Sequence, residues 1–124
     1  RSLMSLETKS FEFAGFRLEA EEKLLLRDGQ IVSITPKAFQ LLLVLVKNSG
    51  HPVKKSELMR EVWADSFVEE GNLTFTVNLL RKALGDDRHN PRFIETIPKH
   101  GYRFVAEVKQ ISPADEAVNS PVHS

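Results

Sequence analysis

Cysteine is absent from the 124 residues, which excludes a disulfide framework, a thiol nucleophile and a thiolate metal site. Stability must come from packing alone, and a cytoplasmic location is expected. Net charge is missing too: Lys plus Arg number 17 and Asp plus Glu number 17, so the total argues for neither nucleic acid nor membrane. No apolar run exceeds residues 41–46, far short of the roughly 18 to 20 residues that span a bilayer. No basic-then-apolar signal peptide opens the chain, so no membrane contact is expected in this segment. The four histidines, at 51, 89, 100 and 123, share no ligand spacing and have no Cys partner, so neither a metal nor another cofactor is expected. With no G-x-S-x-G elbow, no Gly-rich phosphate loop after a strand and no carboxylate pair with a catalytic rationale, the chain does not read as an enzyme. Nor is there a solenoid-like repeat.

What remains is ordinary globular composition, 41% hydrophobic and 27% charged, in a length that suits one domain. The first third alternates with period two: Phe11 and Phe13, Phe16 and Leu18, Leu24 and Leu26, Ile31 and Ile34. Ala14-Gly15 and Asp28-Gly29 punctuate the pattern, the latter being a favoured two-residue hairpin turn, so a four-stranded antiparallel meander is predicted. At Thr35-Pro36 the period changes. Thr35 suits an N-cap, Pro36 the first helical position, and Phe39, Leu42, Leu43 and Val46 recur at helical spacing to about Lys47. The extended 51–54 stretch fits a very short strand. Ser56 can cap a second, two-turn helix ending near Trp63, with Leu58 and Val62 one turn apart. A third helix over 70–84 buries Leu73, Val77, Leu80 and Leu84 and closes at Gly85. Segments 92–97 and 102–107 read as a hairpin with a basic tip at Pro98-Lys99-His100-Gly101. Residues 1–10 are expected to be disordered, 11–108 to form the domain and 109–124 to be a flexible tail or linker.

The third helix is unusual on its outer side. At about 100° per residue, the positions opposite its apolar stripe are Gly71, Phe75, Asn78, Leu79 and Lys82. A solvated face should carry Glu, Lys and Gln, yet no carboxylate occurs from Gly71 to Gly85. An α-helix fits the DNA major groove, where Asn can pair with adenine, apolar groups meet thymine methyls, and Arg81 and Lys82 can neutralise phosphates. Charge distribution agrees: residues 36–62 carry five basic and two acidic side chains and residues 71–103 six and three, each +3, against −3 over 63–70. An exposed Phe and Leu are equally what a packing contact with another element would need, so composition alone leaves both readings open.

Several motifs occur in order: Thr35-Pro36-Lys37-Ala38-Phe39; Glu57-Leu58 and Val62-Trp63; Leu80-Arg81-Lys82-Ala83-Leu84-Gly85; Ile94-Glu95-Thr96; and Gly101-Tyr102-Arg103-Phe104. Together they resemble the winged-helix DNA-binding domain of the OmpR/PhoB type, the output domain of bacterial response regulators in two-component signalling and of membrane-anchored CadC-like activators. The resemblance covers roughly residues 11–107. It implies an α+β fold: a winged helix-turn-helix with an N-terminal four-stranded antiparallel sheet, three helices and a C-terminal β-hairpin wing. It further implies sequence-specific binding of double-stranded DNA by a transcriptional regulator, with the 70–84 helix in the major groove and the wing, about 92–107, at the minor groove.

Carried over by position, the base-facing sites fall on Phe75, Asn78 and Leu79. Phosphate contacts fall on Trp63, Asn72, Thr74, Arg81, Lys82, Thr96 and Tyr102, and the wing contributes Lys99, His100 and Arg103. Family members often have arginines where Asn78 and Leu79 stand, so base preference should be less guanine-directed. Fewer charged contacts imply modest single-site affinity, a shallow salt slope and firm binding only when protomers self-associate on repeated half-sites. In the family the loop before the recognition helix can contact RNA polymerase, here through Asp65, Glu69 and Glu70; the same carboxylates also suit a helix N-terminus. Ten residues ahead of position 11 are too few for a receiver domain, so an excised DNA-binding domain is expected. The competing reading is a winged-helix protein interaction module without DNA binding, anchored by Phe75 and Leu79.

Overall fold

A computed structural model describes residues 10–64, 66 and 68–111. Four short strands, β1 (Ser10–Phe13), β2 (Phe16–Glu19), β3 (Leu24–Arg27) and β4 (Gln30–Ile31), form the expected meander. Their tight turns rest on paired positive φ angles, 45° and 86° at Ala14-Gly15 and 51° and 85° at Asp28-Gly29. These are the twist-matched two-residue turns that set the register Phe13 to Phe16 and Arg27 to Gln30. Alternation then buries Phe11, Phe13, Phe16, Leu18 and Leu25 on one face.

Helix α1 (Pro36–Lys47) starts as its sequence dictates: the Thr35 hydroxyl accepts the Ala38 N–H at 3.1 Å and Pro36 occupies the first turn. A two-residue strand, β5 (Val53–Lys54), runs directly into α2 (Lys55–Val62). The start of α2 differs from expectation. Ser56 lies inside the helix and its N-cap is Lys54, which makes no side-chain cap. Sheet pairing supplies the reason: Lys54 stands opposite Gly101 and the Lys55 N–H donates to the His100 carbonyl at 3.0 Å, so tertiary contacts hold the backbone where a side-chain cap would have. At the other end of α2, Lys37 Nζ donates to the Val62 carbonyl at 2.9 Å. Helix α3 (Glu70–Leu84) ends at Gly85, whose φ of 73° supplies the left-handed C-cap.

The hairpin consists of β6 (Ile94–Ile97) and β7 (Gly101–Phe104), shorter than the segments read from the sequence, and β5 joins it in a three-stranded antiparallel sheet of order β5-β7-β6. Gly101 belongs to the strand and not to the turn; a Cβ there would lie 1.8 Å from the Val53 carbonyl oxygen, so only glycine permits the approach of β5. A further strand, β8 (Lys109–Ile111), was expected to be tail. It pairs with β1, Ser10 opposite Ile111, giving a five-stranded sheet of order β4-β3-β2-β1-β8 and taking Ser10 out of the expected N-terminal disorder. The open edge of β1 explains this pairing, since its unpaired N–H and C=O groups accept any nearby extended segment.

The three helices pack together between these sheets' contributions to one core. Phe13, Phe16, Phe93 and Phe104 form an aromatic cluster at centroid separations of 5.0 to 6.3 Å, joining the N-terminal sheet to the foot of the hairpin. The architecture is the expected α+β winged helix-turn-helix, with a fifth strand added.

Candidate nucleic-acid interface

Helix α3 separates its faces sharply. Leu73, Val77, Leu80 and Leu84 are at most 1% exposed, whereas Gly71, Asn72, Thr74, Phe75, Asn78 and Lys82 are exposed and Leu79 is half-buried. Phe75 retains 63% of its surface in solvent, an exposure that full packing into the chain would have removed. Thr76 is buried, its hydroxyl donating to the Asn72 carbonyl at 2.8 Å, and Asn72 Nδ2 donates to the Glu69 carbonyl at 3.3 Å. Among the described residues nothing engages the side-chain amide of Asn78 or the ammonium of Lys82. The predicted base-facing set therefore lies together on one open surface.

Arg81 is placed otherwise than a freely reaching phosphate contact would be. It is 6% exposed, and Nη2 donates to the Ile94 carbonyl at 2.8 Å and to the Thr96 hydroxyl at 2.9 Å. Helical phase is the cause: residue 81 follows Leu80 and precedes Leu84 on the inner side, where β6 crosses. Burial lowers its pKa from the usual arginine range, partly opposed by Asp86. Its Nε is the one buried side-chain nitrogen or oxygen without a partner among the described residues. Trp63 and Tyr102 also lie largely within the core, at 8% and 5% exposure.

On the wing, Thr96, Lys99 and His100 are exposed. Lys99 forms the tip with a φ of 63°, rare for a residue with a side chain. Arg103 is tied down, its Nε 2.9 Å from Glu95 Oε1 and its Nη2 in contact with the same oxygen. Of the acidic set before and at the start of α3, Glu69 is the exposed N-cap, Glu70 pairs with Lys55 at 2.8 Å, and Asp65 lies outside the described residues. The Glu70 hydrogen bond, and then its charge, raise the Lys55 pKa.

Residues 29–104 match the family model described as "Transcriptional regulatory protein, C terminal". The chain belongs to that family. Transcriptional regulator HilA of Salmonella typhimurium (strain LT2) is 37% identical over 108 residues, 87% of this chain and 19% of HilA. Transcriptional activator CadC of Escherichia coli K12 is 34% identical over 83 residues, 66% of this chain and 16% of CadC. The solved DNA-binding domain of E. coli CadC superimposes with a TM-score of 0.72 at 26% identity, covering 82% of this chain and 96% of that domain. The OmpR/PhoB-type, CadC-like resemblance thus stands as membership. The chain spans less than a fifth of the length of the two curated relatives.

For a member of this family, two structural residues escaped the sequence reading. Asp86, just past the α3 cap, accepts the N–H groups of Arg92, Phe93 and Ile94 at 2.8 to 3.2 Å. Together with Arg81 it fastens the end of α3 to the start of the wing. The available signal was an Asp following a helix-ending Gly, a residue type suited to accepting backbone N–H groups. Gly101 was read as a turn residue, and only the spatial proximity of Val53 shows why glycine is required there.

Proposed function

We propose that this domain is the sequence-reading output module of a bacterial transcriptional regulator and binds double-stranded DNA, with α3 in the major groove and the β6–β7 wing at the adjacent minor groove. The observation that carries this is the outer face of α3: Phe75, Asn78, Leu79 and Lys82 on one surface, Phe75 63% exposed, and no carboxylate from Gly71 to Gly85. Asn78 suits bidentate pairing with adenine, and Phe75 and Leu79 suit thymine methyls. In this reading Lys82, Asn72, Thr74 and Thr96 contact phosphates, joined by the polar ends of Trp63 and Tyr102, with Lys99 and His100 acting at the wing tip. Arg81 acts here mainly as a positioning residue, holding β6 to α3, and Arg103 serves the wing through Glu95.

The reading is of a binding module without catalysis, working in the cytoplasm. Modest single-site affinity follows from the few free cations, so tandem protomers on repeated half-sites give firm occupancy. Glu69 and Asp65 are the residues for RNA polymerase, since Glu70 is engaged by Lys55. Charge reversal at Glu69 is expected to lower transcription while leaving DNA binding intact.

The exposure of Phe75 also favours a protein-binding use of the same face. Selection of duplexes from a random pool at two salt concentrations separates the two. DNA binding predicts enriched sequences whose affinity falls as salt rises. Absence of enrichment, or affinity indifferent to salt and to Lys82→Gln, overturns it in favour of a protein partner.

A further inference from the structure

A groove between the wing tip and the helix-turn-helix is lined by Lys54, Lys55, Ser56, Glu70, Lys99 and His100. Four separate places in the chain meet there: the end of β5, the start of α2, the first turn of α3 and the β6–β7 turn. The backbone beneath is firmly held. Lys54 is paired with Gly101, the Lys55 N–H donates to the His100 carbonyl at 3.0 Å, and the His100 N–H donates to the Ile97 carbonyl at 3.0 Å. Lys99 keeps its left-handed φ of 63° within this frame.

The charges are unequal. Glu70 is the single carboxylate of the lining and is taken by Lys55 at 2.8 Å, while Lys54 and Lys99 have no ion-pair partner among the described residues. Two unpaired ammonium groups held on converging elements repel each other unless an outside anion lies between them. The position says which anion. Glu70 opens α3, and Lys82 lies twelve residues further, about 18 Å along the helix axis at 1.5 Å per residue. Between them stand Phe75, Asn78 and Leu79. Because the major groove is about 12 Å wide, cations beyond each end of that base-facing stretch meet the phosphates of the two strands bordering it.

We propose that Lys54 and Lys99, with the His100 imidazole, clamp the phosphate backbone of duplex DNA beside the first turn of α3, and that Glu70 withholds Lys55 from the same backbone. This rests on the DNA-binding reading above and adds to it residues of β5 and α2. Glu70 then moderates affinity: a built-in anion competes with phosphate for the third lysine and keeps non-specific binding low.

The test is a salt series of duplex binding by the whole chain, read by fluorescence anisotropy. The panel comprises the unaltered protein, Lys54→Gln/Lys99→Gln, Glu70→Gln, and Lys47→Gln as an exposed control outside the groove. The double variant should lower the slope of log affinity against log salt by about 1.8, at about 0.9 per lost phosphate contact, and weaken binding by a similar factor on every sequence. Glu70→Gln should act oppositely, tightening binding and steepening the slope by about 0.9, a gain that misfolding cannot produce. Lys47→Gln should leave the slope unchanged. Unaltered slopes in both groove variants, with normal binding by the parent, overturn the clamp and leave the DNA reading standing. Failure of the parent on every duplex removes that reading and the clamp with it. Competition by inorganic phosphate at low concentration marks a free-anion site and also overturns the proposal.

Discussion

Along α3, Leu73, Val77, Leu80 and Leu84 are removed from water, while Phe75, Asn78 and Lys82, at most two residues away in sequence, stand in it. The inner row packs against α1 and α2 and makes the helix possible. The outer row contributes little to the fold, and in the function proposed above it supplies the base-reading chemistry. An aromatic residue 63% exposed on the outer row is unlike a solvated helix face, whereas the inner row follows the packing of the core.

Four substitutions probe that division. Leu80→Ala, fully buried, should cost about 2 to 5 kcal/mol of unfolding free energy, seen as a large fall in Tm, with DNA binding lost as the domain unfolds. An unchanged melting profile would erase the distinction between the rows. Arg81→Met tests the one charged member of the inner side. Loss of the bonds to Ile94 and Thr96 should cost about 1 to 3 kcal/mol in denaturant titrations, and wing protection in hydrogen exchange should fall more than that of α1. Asn78→Ala should leave the unfolding free energy within about 0.5 kcal/mol of the parent's, yet relax discrimination at one base pair by about 1 to 3 kcal/mol in competition binding. A drop in Tm instead would mean that the outer row is structural. The smallest effect belongs to Lys82→Gln: the salt slope should become shallower by about 0.9, without a change in base preference.

Much of this division can be read from residue spacing, because both rows obey the helical period and each residue type declares its side. The strands of the meander and α1 were equally legible, since alternation, a Gly-containing turn and a Thr-Pro start are local signals, but the phase of the later strands was not: Leu25 faces the core in place of Leu24 and Leu26, and Ile31 is exposed. What escaped was set by partners distant in sequence. Three residues, Lys109, Gln110 and Ile111, carry no pattern of their own and become β8 only because β1 offers an open edge. Arg81 looks like a surface cation until β6 is laid across it. Ser56 reads as a cap, but the pairing of Lys54 with Gly101 begins α2 two residues earlier. Within the interface, Asn78 and Phe75 were visible as an incongruous helix face, whereas the convergence of Lys54 with Lys99 depends on the β5–β7 pairing, which no local spacing encodes.

The pairing of Ser10 with Ile111 has a mechanical outcome. Pull applied at these two positions loads the β1–β8 ladder first and reaches the helices only after that short zipper has opened. A tug through flanking polypeptide is thereby absorbed at the sheet margin, and α3 keeps its seat while the strap yields.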